Sequence, residues 1–157
     1  MSDGSVRRAT AEDAAIVARL LEDFNTEFDT ATPGVDALDR RLRALLVEDS
    51  TFALLAGDPP CAVALVTLRP NVWYQGPVAL LDELYVAPAR RGEGLGSAIM
   101  AQLLIECRRR RVELIEVNVD ESDVDAQRFY GRHGFALVEP DTGERAFYFS
   151  RELDGSA

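Results

Sequence analysis

Two segments near the start of the chain place apolar residues three or four positions apart, as on one face of a helix. The first spans residues 9–28 and carries Thr10 as a candidate N-cap, with Asp13 three positions later. The second spans residues 35–49, follows a Thr-Pro-Gly break and aligns its leucines on one side. The pattern therefore predicts two amphipathic helices ahead of the first long strand.

Short apolar runs bounded by turn residues then predict strands. Residues 51–57 and 61–70 form the arms of a hairpin around the turn DPP, and residues 78–86 form a third strand. This third strand is apolar on both faces, as in the interior of a sheet, but Asp82 and Glu83 interrupt it. The two acids are therefore candidates for chemistry.

The second half of the chain alternates helix and strand. An apolar stripe over residues 95–110 predicts a helix, and residues 112–119 predict a strand. A strand, a helix and a strand in this order predict that strand 112–119 is parallel to strand 78–86 and that the connection between them is right-handed. A short helix is predicted within DVDAQRFYGRHGF, ending at Gly134, and two last strands within FALVEP and ERAFYFSRE around the turn DTG. These elements predict one mixed α/β domain over residues 1–157.

Composition and charge exclude several classes of protein. The chain has 157 residues, of which 47% are hydrophobic and 28% charged, which is typical of one globular domain. The net charge of -10 argues against nucleic acid as a partner, because phosphate backbones require a basic face, and it favours cationic partners. No apolar stretch approaches the roughly 20 residues that span a bilayer, and the N-terminus carries no apolar run behind its basic pair. We therefore expect a cytoplasmic protein with no membrane partner.

The cysteines and the histidine predict neither a disulfide framework nor a metal site. Cys61 and Cys107 form no C-x-x-C motif, and His133 is the sole histidine. Cys107 lies within an apolar helical stripe, so we expect a buried, inert thiol even though four arginines follow it. Those arginines, residues 108–111, are expected to complement the negative end of the helix dipole.

The segment RRGEGLGSAIM, residues 90–100, places three glycines where a loop becomes a helix. A helix N-terminus leaves its first N–H groups unpaired and carries a partial positive charge, so it attracts anions. Gly92, Gly94 and Gly96 let an oxygen approach those amides closely, and Arg90 and Arg91 add positive charge beside them. A pyrophosphate is the ligand that such a loop favours.

Other interpretations of this loop are less specific or fit poorly. Glycines also occur in turns that merely connect a strand to a helix. In a dinucleotide-binding fold the third glycine of the fingerprint would fall at Ser97, and the segment APAR separates the glycines from the strand. A phosphate-binding P-loop is excluded because the chain contains no lysine.

The segment LYVAPARRGEGLGSAIMAQLL resembles the acetyl-CoA-binding signature of the GNAT superfamily of N-acetyltransferases. The pattern R-x-x-G-x-G of that signature corresponds to Arg91, Gly94 and Gly96. The family usually continues with a strand and then a helix that ends in a tyrosine followed by Gly-Phe, which Tyr130 and Gly134-Phe135 reproduce. The resemblance covers nearly the whole chain and implies a mixed, splayed sheet of about six to seven strands with helices on both faces.

The resemblance also implies how acetyl-CoA is bound. Its pantetheine arm is expected between strands 78–86 and 112–119, bonded to main-chain groups near Leu84 and Val86. The family often has an asparagine seven residues before its tyrosine, and this chain has Asp123, which should share a helical face with Tyr130. The pyrophosphate is expected on the backbone amides of the loop, from Arg91, Gly92, Glu93 and Gly94 to Leu95, Gly96 and Ser97.

The same resemblance implies an acid and a base for acetyl transfer. Tyr130 corresponds to the family's leaving-group acid. Asp82 and Glu83 are similar to the Glu-Asp pair of spermidine/spermine and diamine N-acetyltransferases, in reversed order, and by that alignment Asp82 faces the cleft. Strand alternation sends the two acids to opposite faces unless a bulge intervenes. Glu116 on the facing strand is a third candidate base.

The acceptor is expected to be an amine. Trp73 and Tyr74 lie in NVWYQGP, near where the family often admits its acceptor, although hairpin packing or a subunit contact explains them equally well. The paired acids and the net charge favour a small cationic amine or a polyamine, acetylated directly in a ternary complex. A protein N-terminus, an amino acid or an aminoglycoside stays open, as do a homodimer and a catalytically idle acyl-CoA-binding or sensing module.

Overall fold

A computed structural model describes residues 5–155 of the chain. The chain divides into two compact units, one up to Val117 and the other from Asn118 onward, and each is described by itself. That residues 1–157 act as a single catalytic domain stays a prediction.

The first unit contains five strands and three α-helices within the described range. The strands are β1 (Val6–Arg8), β2 (Thr51–Ala56), β3 (Ala62–Arg69), β4 (Val78–Val86) and β5 (Ile115–Val117). The helices are α1 (Ala14–Glu27), α2 (Val35–Leu45) and α3 (Leu95–Arg109). The second unit contains α4 (Val124–Arg132).

The strands form one mixed sheet in the order β1-β2-β3-β4-β5. Adjacent strands from β1 to β4 are antiparallel, whereas β5 runs parallel to β4 after the crossover through α3. The predicted hairpin and parallel crossover are therefore confirmed. The strand β1 was missed because three residues carry too short a pattern, and only its pairing with β2 defines it.

Helices cover both faces of this sheet, as expected. Ala53 and Leu55 of β2 belong to the buried cluster that α1 and α2 form with the sheet. Alternation along β2 sends Phe52 and Leu54 to the other face, where Arg110, just after α3, lies with its guanidinium 4.6 Å from the centre of the Phe52 ring. The fold class is thus a mixed α/β sheet with a helical layer on each side.

Among residues 5–155 the strand count is lower than predicted, five instead of six to seven. The segments FALVEP and ERAFYFSRE were expected to pair as strands, but among the described residues they share only an isolated bridge between Val138 and Arg145. A strand requires a continuous hydrogen-bonded neighbour, and apolar alternation alone does not supply one. Phe147 and Phe149 accordingly stay 71% and 91% exposed.

At the end of α3 the predicted burial of Cys107 is confirmed, and the arginines that follow it make ion pairs. Cys107 is buried, and burial raises the pKa of its thiol to about 11. Glu106 is also buried and forms ion pairs with Arg109 at 3.1 Å and Arg110 at 3.8 Å. These arginines therefore stabilise a buried carboxylate in addition to the helix end.

Across residues 5–155, none of the helices combines the length and the apolar character needed to cross a membrane. Within the same residues, no three histidine, cysteine or acidic side chains come together as a metal site would require.

Candidate active site

A β-bulge in β4 places the two acids on one face of the sheet. Glu83 pairs with Leu65 of β3, but the next pair joins Val66 to Leu81, so Asp82 is an extra residue without a partner of its own in the register. The Asp82 carboxylate accepts a hydrogen bond from the hydroxyl of Thr67.

Thr67 identifies the face that Asp82 occupies. Leu65 and Thr67 are two residues apart in β3 and therefore point the same way. Asp82, bonded to Thr67, and Glu83, opposite Leu65, lie on that shared face, which is the one that α1 and α2 cover further along the strands. Alternation would separate the two acids unless a bulge intervenes, and the register shift is such a bulge.

The environment makes both acids weaker than free carboxylic acids. Burial raises the pKa of Asp82, and the hydrogen bond from Thr67 opposes that change. Burial also raises the pKa of Glu83, and the negative charge of Asp82 raises it further. Two neighbouring carboxylates with raised pKa values are typical of sites that bind cations or move protons.

Glu116 lies on the same face. It stands opposite Leu80 in the parallel register of β4 and β5, and Leu80 stands opposite Thr67. Arg69 donates a hydrogen bond from Nη2 to Glu116 Oε1 at 3.0 Å, so this third candidate base is engaged in an ion pair. Asp82 and Glu83, on the same face, do not take part in the ion pair with Arg69.

The main chain of β4 carries the groups expected to bind pantetheine. The N–H of Ala87, just after β4, donates to the carbonyl of Cys61, just before β3. In an antiparallel pair the backbone N–H and C=O groups of every second residue point towards the partner strand, so those of Tyr85 point towards β3 as well. Leu84 and Val86 are the residues in between, so their N–H and C=O groups point away from β3. The pairing with β5 ends at Leu81 and Val117, and β5 therefore provides no ladder partner for them.

The glycine loop, where we expect the pyrophosphate, has a left-handed backbone at two positions. Gly92 and Gly94 have φ angles of 80° and 83°, in the left-handed region that favours glycine. A Cβ added at either position would meet no atom within 4 Å, so the space beside the loop is open within the described structure. The N–H of Ala98 bonds to the Gly94 carbonyl, and the amides of Leu95 and Gly96 precede that first helical bond.

Both arginines of the loop form ion pairs. Arg90 forms an ion pair with Glu93 at 2.8 Å. Arg91 donates from Nε to the Val86 carbonyl at 2.9 Å and from Nη2 to Glu27 at 2.8 Å. Arg91 therefore ties the loop to β4 and to the last residue of α1, and Glu27 balances its charge.

Asp123 and Tyr130 lie in the second unit. Asp123 is the N-cap of α4, and its carboxylate accepts a hydrogen bond from the N–H of Ala126 at 3.0 Å. Tyr130 lies in the last turns of α4 and makes edge-on contacts with the rings of Phe129 and Phe135, at 5.3 and 5.5 Å between ring centres. The cap explains an aspartate at 123, and its contact with acetyl-CoA stays a prediction.

Trp73 and Tyr74 lie in the loop between β3 and β4. The Asn71 side chain holds this loop, because its Oδ1 accepts from the N–H groups of Trp73 and Tyr74 and its amide donates to the Gly76 carbonyl. The Trp73 side chain is 85% exposed. The loop therefore presents an aromatic side chain to solvent from a fixed backbone.

Sequence reasoning missed three residues of the site: Thr67, Arg69 and Glu27. Thr67 and Arg69 are the polar positions of an otherwise apolar strand, spaced two apart, and that alternation is the signal that could have found them. Glu27 carries no such signal, because its bond to Arg91 joins residues 64 positions apart in the sequence.

Comparison with known proteins identifies the family of the chain. A family model described as Acetyltransferase (GNAT) family matches residues 16–135. An aminoalkylphosphonate N-acetyltransferase of Salmonella typhimurium is 28% identical over 133 residues, which cover 83% of each chain. An uncharacterized N-acetyltransferase of Archaeoglobus fulgidus is 27% identical over 142 residues, covering 88% of this chain and 95% of the relative.

Solved structures share the whole fold. A protein of Arthrobacter sp. FB24, described as a candidate acetyltransferase, is 53% identical with a TM-score of 0.89, covering 95% of this chain and 96% of the other. An aminoglycoside acetyltransferase from a soil metagenome is 17% identical with a TM-score of 0.78, covering 96% of each chain, and shows the same fold.

Proposed function

Because the chain belongs to the GNAT acetyltransferase family and is thereby an acyltransferase, we propose that it transfers acetyl from acetyl-CoA directly to a small primary amine. The amine enters as a cation and binds at Asp82 and Glu83. The observation that carries this proposal is the bulge that brings both carboxylates to one face of β4, next to the main-chain groups of Leu84 and Val86.

The loop and β4 fit acetyl-CoA as the donor substrate. The amides at the start of α3, with open space beside Gly92 and Gly94, suit a pyrophosphate. The backbone groups of Leu84 and the N–H of Val86, whose carbonyl accepts from Arg91, suit the amides of a pantetheine arm beyond the point where the pairing with β5 ends. GNAT enzymes generally use acetyl-CoA, and these features support the same donor here.

The acid pair answers the main chemical difficulty of the acceptor. An alkylamine with a pKa of roughly 10.4 is about one part in two thousand neutral at pH 7, so its deprotonation costs about 4 to 5 kcal/mol. Asp82 and Glu83 bind the ammonium, and the raised pKa of each carboxyl makes it a stronger base than a free one. Asp82 is our first choice for the base, because Thr67 orients its carboxylate.

Tyr130 is proposed as the group that assists the departing thiolate. With reference pKa values near 10 for tyrosine and about 8.5 for a thiol, full proton transfer to a free thiolate would be uphill by about 2 kcal/mol. The hydroxyl therefore acts by hydrogen bonding to the developing thiolate, and the proton moves as the acyl group departs.

The acceptor class is proposed on the same grounds. The acid pair supports a small cationic amine as the acceptor, the class that includes the polyamines. We expect the protein to act as a homodimer in the cytoplasm. An aminoalkylphosphonate, by analogy with the Salmonella relative, also brings a primary amine. The two classes differ in the charge at the far end of the molecule.

The test is the release of free thiol from acetyl-CoA in the presence of diamines, polyamines, aminoalkylphosphonates, amino acids, peptides and aminoglycosides. We expect release with a small primary amine and its loss in an Asp82→Asn, Glu83→Gln double variant that still binds acetyl-CoA. Tight acetyl-CoA binding without release for any acceptor would favour the idle binding or sensing module instead.

A further inference from the structure

Arg69 brings a positive charge to the face that carries the acids. Arg69 follows Thr67 by two residues in β3, so both side chains leave the same face of the sheet. Its bond to Glu116 passes over β4, because β4 lies between β3 and β5. The Arg69 and Glu116 side chains are 66% and 48% exposed, so a solute can reach the guanidinium.

The strand register sets the separation between this charge and the acid pair. Glu116 stands opposite Leu80, which is two residues before Asp82 in β4. Two residues of a strand span roughly 6.5 Å. The guanidinium at Glu116 and the carboxylate of Asp82 are therefore spaced so that the two ends of one short molecule can contact both.

We propose that the acceptor carries an anionic group, a phosphonate or a carboxylate, a short carbon chain away from its amine, and that Arg69 binds this group. The inference rests on the proposed function, in which Asp82 and Glu83 hold the ammonium end. Glu116 is a positioning residue that directs the guanidinium across β4.

The chemistry of the guanidinium supports an oxyanion at this position. Arginine offers five N–H donors in a planar fork that matches the oxygens of a phosphonate or carboxylate. Its bond to Glu116 is made through Nη2, so a second oxyanion can approach another edge of the fork. A diamine would instead bring its second ammonium towards Arg69, where like charges repel, although Glu116 offsets part of that repulsion. Arg69 thus selects zwitterionic amines over diamines.

The experiment compares three acceptors of similar length: aminoethylphosphonate, beta-alanine and diaminopropane. For the unsubstituted protein we expect kcat/KM to be highest with an anionic amine. The Arg69→Met variant should lose about tenfold in kcat/KM for the anionic amines, mostly through KM, and keep or gain activity with diaminopropane. Comparing the phosphonate with the carboxylate tells which oxyanion the site prefers.

The matched control is Arg43→Met, which removes another exposed arginine from an ion pair, the one with Asp39 in α2. This variant should keep the order of the three acceptors. The anion subsite is overturned if Arg69→Met reduces kcat/KM equally for all three acceptors, or if the unsubstituted protein prefers diaminopropane. The acetyltransferase proposal stands in either case. If no amine releases thiol, the proposed function fails and the subsite fails with it.

Discussion

The hydroxyl of Thr67 in β3 donates a hydrogen bond to the carboxylate of Asp82 in β4, at the bulge where the two strands change register. This bond lowers the pKa of Asp82, whereas burial, the larger effect, raises it. Thr67 therefore moderates the basicity of the residue that we propose as the base, and it also fixes the direction in which that carboxylate points.

A Thr67→Val substitution removes the donor and keeps the shape of the side chain. The pKa of Asp82 should then rise further, because burial acts without opposition. A base must be ionised to act, so kcat/KM falls as the pH falls through its pKa, and this acid limb should move to higher pH in the variant. Thr67→Ser keeps a hydroxyl and should retain the original profile. An acid limb at the same pH in all three proteins would refute the role of Thr67.

The paired acids should reduce stability at neutral pH. The pKa of Glu83 is raised in the folded protein by burial and by Asp82, so the folded state holds its proton more tightly than the unfolded state. Stability therefore falls as the pH rises from the ordinary carboxyl pKa through the raised one. Glu83→Gln should be more stable at pH 7, by less than about 1 kcal/mol, and should lose this advantage near about pH 3. Urea unfolding at both pH values checks the prediction, and a variant less stable at pH 7 would contradict it.

The bulge marks the limit of what the sequence could predict about the site. The apolar pattern is enough to place β4 at residues 78–86, because a strand in the interior of a sheet is apolar on both faces. The direction of Asp82 depends instead on the register with β3, which is a property of two strands and appears in neither one alone. Alternation alone therefore could not predict the face on which Asp82 lies, because that depended on whether a bulge intervened.

The ends of the sheet show the same limit. The segment ERAFYFSRE has the composition of a strand, yet Phe147, Tyr148 and Phe149 are exposed, and no ladder includes them among the described residues. Three residues of β1 form a strand with no recognisable pattern, because β2 offers them a partner. Local propensity indicates which segments can pair, and only long-range contacts decide which of them do.

Tyr130→Phe should lower turnover and leave acetyl-CoA binding unchanged. The phenyl ring keeps the edge-on contacts with Phe129 and Phe135, so the substitution removes the hydroxyl with little effect on packing. Turnover at saturating substrates and acetyl-CoA affinity by titration separate the two effects. Tyr148→Phe, at an exposed tyrosine of the same unit, is the control and should change neither. Full turnover in Tyr130→Phe at saturation would remove Tyr130 from the mechanism.

Gly94→Ala should reduce the free energy of acetyl-CoA binding by more than it reduces the free energy of unfolding. The φ angle of 83° is unfavourable for alanine by about 1 kcal/mol, although no described atom beyond the adjoining backbone lies within 4 Å of the added methyl. That methyl would occupy the open space where we expect the pyrophosphate. Gly143→Ala has the same kind of backbone penalty, at a φ of 71° and also in open space, and should not affect acetyl-CoA binding. Equal acetyl-CoA affinities in the two variants would place the pyrophosphate elsewhere.

Gly76→Ala tests whether the aromatic loop belongs to the acceptor site. A Cβ at Gly76 would lie 2.0 Å from the carbonyl oxygen of Arg111, so the loop must move, at a cost of about 1 to 3 kcal/mol. Asn71 bonds to the Gly76 carbonyl and to the N–H of Trp73, so this movement carries Trp73 with it. If Trp73 walls the acceptor pocket, the KM for the amine should rise severalfold and the KM for acetyl-CoA should stay the same.

Trp73 is the single tryptophan of the chain, so its fluorescence reports this loop alone. Titration with a good acceptor should change the emission in the unsubstituted protein, and Gly76→Ala should move the titration midpoint to higher acceptor concentration. Trp73→Phe and Trp73→Ala variants test whether the Trp73 side chain contacts the amine. Phenylalanine keeps most of the contact area of the tryptophan ring, so the KM for the amine should rise less in Trp73→Phe than in Trp73→Ala. Two results together would exclude this loop from the acceptor site: a Trp73 emission that does not change when the acceptor is added, and an unchanged KM for the amine in Gly76→Ala. The displacement of Trp73 would then have no effect on acceptor binding.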